Sequence, residues 1–196
     1  MNKNKKIIIL TIFFIITITI ISIFLINKHS EKSKIQVVLD TYCNENVQER
    51  INTQSSITND NFVIEDLLFQ IDGKNVLGVI EIDDINYEGL IYEGTSMQTL
   101  AKGVGHFENT PYFEGNVCLA AHNTNKFWAK LHTLKEGSLI NYYSFLGTKQ
   151  YKVFNISSVS ETDWSNLENT EENTLTLITC IKGQKDNRLC VQAKEF

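Results

Sequence analysis

The sequence has no surplus of basic charge. Its 18 Lys and Arg face 23 Asp and Glu, and the net charge of −5 leaves no positive field for nucleic acid. It has no C-x-x-C spacing either. Cys43, Cys118, Cys180 and Cys190 are scattered, which argues against a structural zinc site. Their even number permits disulfides outside the cytosol. It does not require them, because a chain of this length can stand on its own core. From Phe62 onward there is no internal repeat and no low-complexity segment, so a repeat architecture is excluded.

Charge is wholly missing from Ile7 to Ile26, a run of twenty residues broken only by Thr11, Thr17, Thr19 and Ser22. About 20 apolar residues span a bilayer. Lys3, Lys5 and Lys6 precede the run, which suits a cytoplasmic N-terminus, although Lys28, Lys32 and Lys34 follow it. A cleaved signal peptide needs small residues at its cleavage site, and "FLINKHSEK" has no A-x-A-like pattern. The expectation is one uncleaved anchor in the cell membrane, with the bulk of the chain outside. Residues 1–27 are then the cytoplasmic tip and membrane span, 28–61 a stalk and 62–196 one domain. Within the stalk, "KIQVVLDTYCNENVQERI" could also form a short helix with Ile35, Val38, Tyr42 and Val47 on one face. Cys43 lies there and is given no chemistry.

After Phe62 the pattern changes. "NVLGVIEI", "EGLIYEG", "NVCLAAH", "SLINYYSF", "KQYKVFNISSV", "NTLTLITC" and "RLCVQA" are short runs rich in Val, Ile, Leu, Tyr and Thr, punctuated by Gly, Asn or Asp. "TSMQTLAKGVGHF" and "KFWAKLHTL" have helical spacing. Many short strands with few helices predict a mainly-β domain, closed or sandwiched.

Three residues stand out chemically. A strand over Asn116–His122 puts Cys118, Ala120 and His122 on one face, and its polar end is an imidazole beside the loop "NTN". Strand ends beside loops commonly carry catalytic groups. His29, His106 and His132 are read as structural, one at the membrane edge and two in predicted helices. Cys180 closes the run from Thr174, and Arg188 opens the next strand after "IKGQKDN". If the two strands pair, thiol and guanidinium face one cavity. A nearby cation favours the nucleophilic thiolate, and an arginine can stabilise an oxyanion. Singly, each residue has a bland reading as core cysteine, turn histidine or surface arginine. Together they form a Cys–His–Arg set: Cys180 follows His122 by 58 positions, and Arg188 follows Cys180 by eight. Cys118 and Cys190 sit in strand interiors and are expected to pack beneath the site.

"TLITC" followed by Arg188 resembles the sortase signature, T-L-x-T-C with an arginine a short loop later. "NVCLAAHNT" resembles the sortase histidine strand, and "FWAKLHTLKEGSLINYYS" resembles the segment after it. The resemblance runs from about Val76 to Ala193. It implies a closed eight-stranded β-barrel and a cysteine transpeptidase of Gram-positive bacteria. Such an enzyme cuts an LPxTG-like C-terminal sorting signal of a surface protein after its threonine. It passes the acyl group from a thioester to an amine of a cell-wall precursor or pilin. By that resemblance Cys180 is the nucleophile, His122 the general acid and base, and Arg188 the holder of the substrate backbone and oxyanion. Asp83 stands where relatives often have proline, and Ala121 where many have glycine. "SETDWSNLENTEEN" is too short for the long helix of class B, and the chain stops at Phe196 without the second membrane helix of class C. A class A-like or class D-like enzyme is expected. The alternatives are a cysteine peptidase that releases product to water and a non-catalytic anchored β-domain. No cofactor is expected. Some relatives order a lid with calcium, but the acidic loop Glu168, Glu171 and Glu172 reads as solvated surface.

Overall fold

The structure is a computed structural model. It describes residues 3–44 and 68–196, grouped in two compact units, Met1–Val37 and Val38–Phe196.

The first unit is helical and belongs to α1 (Lys3–Asn44). The helix is long and apolar enough to cross a membrane, and its apolar side chains are exposed from Ile9 to Ile26. Two hydroxyls within this stretch are satisfied inside the helix. Thr17 Oγ1 donates to Phe14 O at 2.8 Å and Thr19 Oγ1 to Ile16 O at 2.8 Å. Such back-bonding lets threonine sit in an apolar run without an orphan donor.

The second unit begins with the last turns of α1. The segment read as a stalk is therefore helical through Asn44, with Val38 and Tyr42 buried as the helix alternative placed them. Tyr42 ties these turns to the barrel. Its hydroxyl donates to Val76 O at 2.6 Å and accepts from Phe69 N at 2.8 Å. Val47 and the expected boundary at residues 61/62 lie outside the described residues.

Nine strands follow among the described residues: β1 (Phe69–Ile71), β2 (Lys74–Ile82), β3 (Tyr87–Glu93), β4 (Val104–His106), β5 (Asn116–Ala120), β6 (Leu139–Ser144), β7 (Gly147–Ser160), β8 (Thr174–Ile181) and β9 (Gln184–Glu195). Their order is β1-β2-β3-β4-β5-β8-β9-β7-β6, and β6 pairs back onto β2. The ring from β2 to β6 is thus a closed eight-stranded barrel, with β1 added as a short flap on β2. At the closing seam Gly78 faces Ser144, and a Cβ on Gly78 would stand 1.9 Å from the Tyr143 carbonyl oxygen. Only glycine lets the two backbones approach this closely. The alternating apolar side chains Val117, Leu119, Leu175, Leu177 and Val191 are fully buried.

Two predicted helices are corrected. Only Met97–Leu100 of the first is helical; this is α2, capped by Ser96 Oγ accepting from Thr99 N at 3.2 Å. Gly103 and Gly105 disfavour continuation, and Val104–His106 joins the sheet as β4, parallel to β3. The second is a chain of turns ending in a 3₁₀ turn at Leu131–Thr133. His132 lies in that turn, while His106 is a buried strand residue, not a helical one.

Candidate active site

The β8–β9 hairpin sets the geometry. The antiparallel ladder places Cys180 directly opposite Arg188, and the pairing shifts immediately beyond them at Ile181. β5 runs parallel to β8 on the other side, with Ala120 opposite Ile178. β5 ends two residues short of the predicted His122. The ladder frays gradually, since Ala121 N still donates to Ile178 O at 3.3 Å and Thr179 Oγ1 to Ala121 O at 2.7 Å. His122 therefore begins the loop. Its carbonyl accepts from Thr124 N at 2.9 Å and Trp128 N at 3.1 Å, which curls the chain around it and explains why turns replace the expected helix. Asn123 Nδ2 donates to Cys180 O at 2.6 Å, pinning this loop to the end of β8.

His122, Cys180 and Arg188 line one cleft of about 290 Å³. The sequence-predicted trio is thus brought together. Much of the wall is apolar: Met97, Leu100, Phe107, Ile178, Trp164 and Leu167. Phe107 and Trp164 meet edge to face at 6.4 Å. Cys180 also lines a second cleft of about 750 Å³, with Asn123, Thr124, Asn125, His132 and Lys182 among its lining residues. The thiol-bearing residue belongs to both an apolar groove and a more polar one.

The described cysteines differ sharply in setting. Cys180 is exposed, whereas Cys118 and Cys190 are buried and free. Burial pushes the Cys118 thiol up to about 12 and the Cys190 thiol up to about 11, so both stay protonated at neutral pH.

Arg188 is held firmly. Its Nη1 donates to Lys185 O at 2.8 Å and Asn187 O at 3.0 Å, and its Nη2 to Glu161 Oε2 at 2.6 Å. Glu161 begins the β7–β8 loop that carries Trp164 and Leu167. The loop is gripped from below by Asn116, whose Nδ2 donates to Asn166 O at 3.0 Å and Glu168 O at 2.8 Å. Thr176 Oγ1 donates to Asn116 Oδ1 at 2.8 Å. Asn116, Asn123 and Glu161 carry no motif that marks them in the sequence. A buried asparagine at a strand start was the one available signal, and its partners lie some fifty residues away.

In the acidic loop, Glu172 pairs with Lys194, and Glu168 contributes its carbonyl to Asn116. Among the described residues, no group of three or more His, Cys, Asp or Glu is placed to hold a metal ion.

The family model for the sortase domain matches residues 80–196, and the chain belongs to the sortase family. It is 28% identical over 130 residues to sortase A of Bacillus anthracis, covering 64% of this chain and 62% of that protein. It is 31% identical over 106 residues to sortase D of Bacillus subtilis, covering 53% of each. The chain thus spans about three fifths or less of the length of these two relatives. Among solved structures, sortase C from Clostridium perfringens SM101 matches with TM-score 0.65 and 28% identity, over 84% of this chain and 98% of that one. A Clostridium perfringens sortase D5 transpeptidase matches with TM-score 0.65 and 25% identity, over 85% and 98%.

Proposed function

We propose that the chain is a cysteine transpeptidase that cleaves an LPxTG-like sorting signal and transfers the acyl fragment to an amine. The observation that carries this reading is the meeting of an exposed Cys180, His122 and Arg188 on one mainly apolar cleft. The Cys180 sulfur attacks the threonine carbonyl of the signal. Arg188 N–H groups hold the oxygen as it gains charge. The Thr–Gly amide breaks, His122 protonates the departing amine, and the acyl group remains on sulfur as a thioester. An incoming amine then attacks the thioester, His122 takes its proton, and a new amide forms with the thiol restored.

The apolar cleft suits the extended signal peptide. The more polar cleft on the other side of Cys180 suits the acceptor amine, because none of its lining residues is a carboxylate that would hold the amine as an unreactive ammonium. The N-terminal helix serves as a single-pass anchor with the barrel on the outer side of the membrane, where surface-protein substrates and a cell-wall or pilin amine are found. Within the family, the short β7–β8 loop favours a class A-like or class D-like enzyme.

The test is mass spectrometry of the barrel-containing protein incubated with a panel of sorting-signal peptides, with and without candidate amines. A mass adduct on Cys180 and an amine-linked product are expected. Release of free acid only, whatever amine is added, would instead establish the hydrolase. No adduct with any peptide would favour the non-catalytic β-domain.

A further inference from the structure

We infer that Glu161 is a positioning residue for Arg188, fixing which of its N–H groups are left to meet the substrate oxygen. The inference rests on the role given to Arg188 above.

A guanidinium has five N–H donors. Both hydrogens of Nη1 are taken, by Lys185 O and Asn187 O. One hydrogen of Nη2 is taken by Glu161 Oε2. One Nη2 hydrogen and the Nε hydrogen are left, and they converge on one oxygen when Glu161 takes the Nη2 hydrogen that points away from Nε. The carbonyls of Lys185 and Asn187 secure only one corner of the planar group, and Glu161 secures a second. Two corners define how the plane is turned, so Glu161 decides where the remaining donors aim.

Glu161 is itself well placed to do this. Its backbone N–H donates to Asp186 O at 2.8 Å, so main chain and side chain both hook the same hairpin. The pair is partly exposed, with 27% of the Arg188 and 39% of the Glu161 side chain accessible, so it contributes little to stability. Its consequence is geometric. Glu161 also lines the cleft with Cys180. Unpaired there, a carboxylate would oppose the growing oxyanion; paired with Arg188, its charge is offset.

The experiment is a double-mutant cycle on peptide cleavage by the full chain in detergent. Glu161→Ala should lower kcat on the order of tenfold to a hundredfold, the scale of a misaimed catalytic group, with KM for the peptide little changed. Glu161→Gln, which keeps an acceptor oxygen, should recover most of the loss. In an Arg188→Ala background, Glu161→Ala should change nothing further. Glu161→Met, similar in shape but without the acceptor, replaces the alanine variant if that variant does not fold. Parent-like kcat in Glu161→Ala or Glu161→Met overturns the inference, and so does an equal loss in the Arg188→Ala background. An inactive parent protein overturns the transpeptidase reading as well, so the two failures are told apart by the parent alone.

Discussion

Cys180 and Arg188 are direct cross-strand partners on the β8–β9 ladder, at the last position before its register shifts. Side chains so paired stand on one face roughly 5 Å apart at Cβ. The ladder, not a flexible loop, sets their spacing. Arg188→Lys should keep the charge and lose the planar fork of donors. A loss of roughly 100- to 1,000-fold in kcat is expected, the usual effect of removing an oxyanion donor. Steady-state cleavage of a quenched signal peptide reads this, while iodoacetamide should still alkylate Cys180. Parent-like turnover in the folded variant would make the arginine an ordinary surface residue.

The buried thiols give a pH prediction. Cys118 and Cys190 have folded values raised by burial from 9.0 to about 12 and about 11. Burial also raises the buried tyrosines Tyr142 and Tyr151. Below pH 9 these groups are protonated in both states and are neutral in the balance. Above it the unfolded chain loses protons that the folded chain keeps, so stability falls as pH rises towards 11 or 12. The urea midpoint should drop across that window and drop less in Cys118→Val. In a Cys43→Ser background at pH 7, a thiol reagent should label Cys180 and spare the other two. Rapid labelling of Cys118 in the native protein would refute the burial argument.

Asn116 should matter for substrate grip as well as for folding. Asn116→Leu strands the carbonyls of Asn166 and Glu168 and the Thr176 hydroxyl. Only the Thr176 hydroxyl is fully buried, and an unsatisfied buried group costs about 1–3 kcal/mol, so a loss of that order should show in denaturant unfolding. The β7–β8 loop also loses its anchor, so KM for the peptide should rise more than kcat falls. A variant with lower stability but unchanged KM would show that the loop holds its cleft wall without Asn116.

Tyr42 fixes where a soluble version of this protein can begin. A chain starting near Asn27 keeps the Tyr42 hydroxyl between Val76 O and Phe69 N. One starting at Phe69 loses it. The longer version should be the more stable, and Tyr42→Phe within it should cost about 1–3 kcal/mol in thermal or urea unfolding. Equal stability of the two truncations would mean that the last turns of α1 add nothing to the barrel.

Much of this is legible in the sequence. Strands β2, β3 and β5 to β9 announce themselves through β-branched and aromatic runs, and "TLITC" with Arg188 marks the hairpin proposed to carry the chemistry. β4 is hidden because its three residues, Val104–His106, follow Gly103, contain Gly105 and lie in a stretch of helix-like spacing. Its strand character comes from β3 and β5, which are remote in sequence. The turns after His122 are hidden because its carbonyl takes the N–H groups of Thr124 and Trp128, a local curl that overrides the helical period. Glu161 was invisible because an ion pair across 27 positions leaves no pattern in a single sequence.

Closure of the barrel at Gly78 has a consequence for how the proposed peptide substrates would be held. Many proteins seize an extended chain by adding it as a new strand to an open sheet edge, drawing affinity from backbone hydrogen bonds. Here β2 to β6 close into a ring, and among the described strands only three-residue β1 is left outside it. On the proposed function, a guest chain is then held chiefly by its side chains and by the carbonyl oxygen that Arg188 meets. On the proposed transpeptidase reading that is a loose handhold, suited to releasing each chain after it has been passed on.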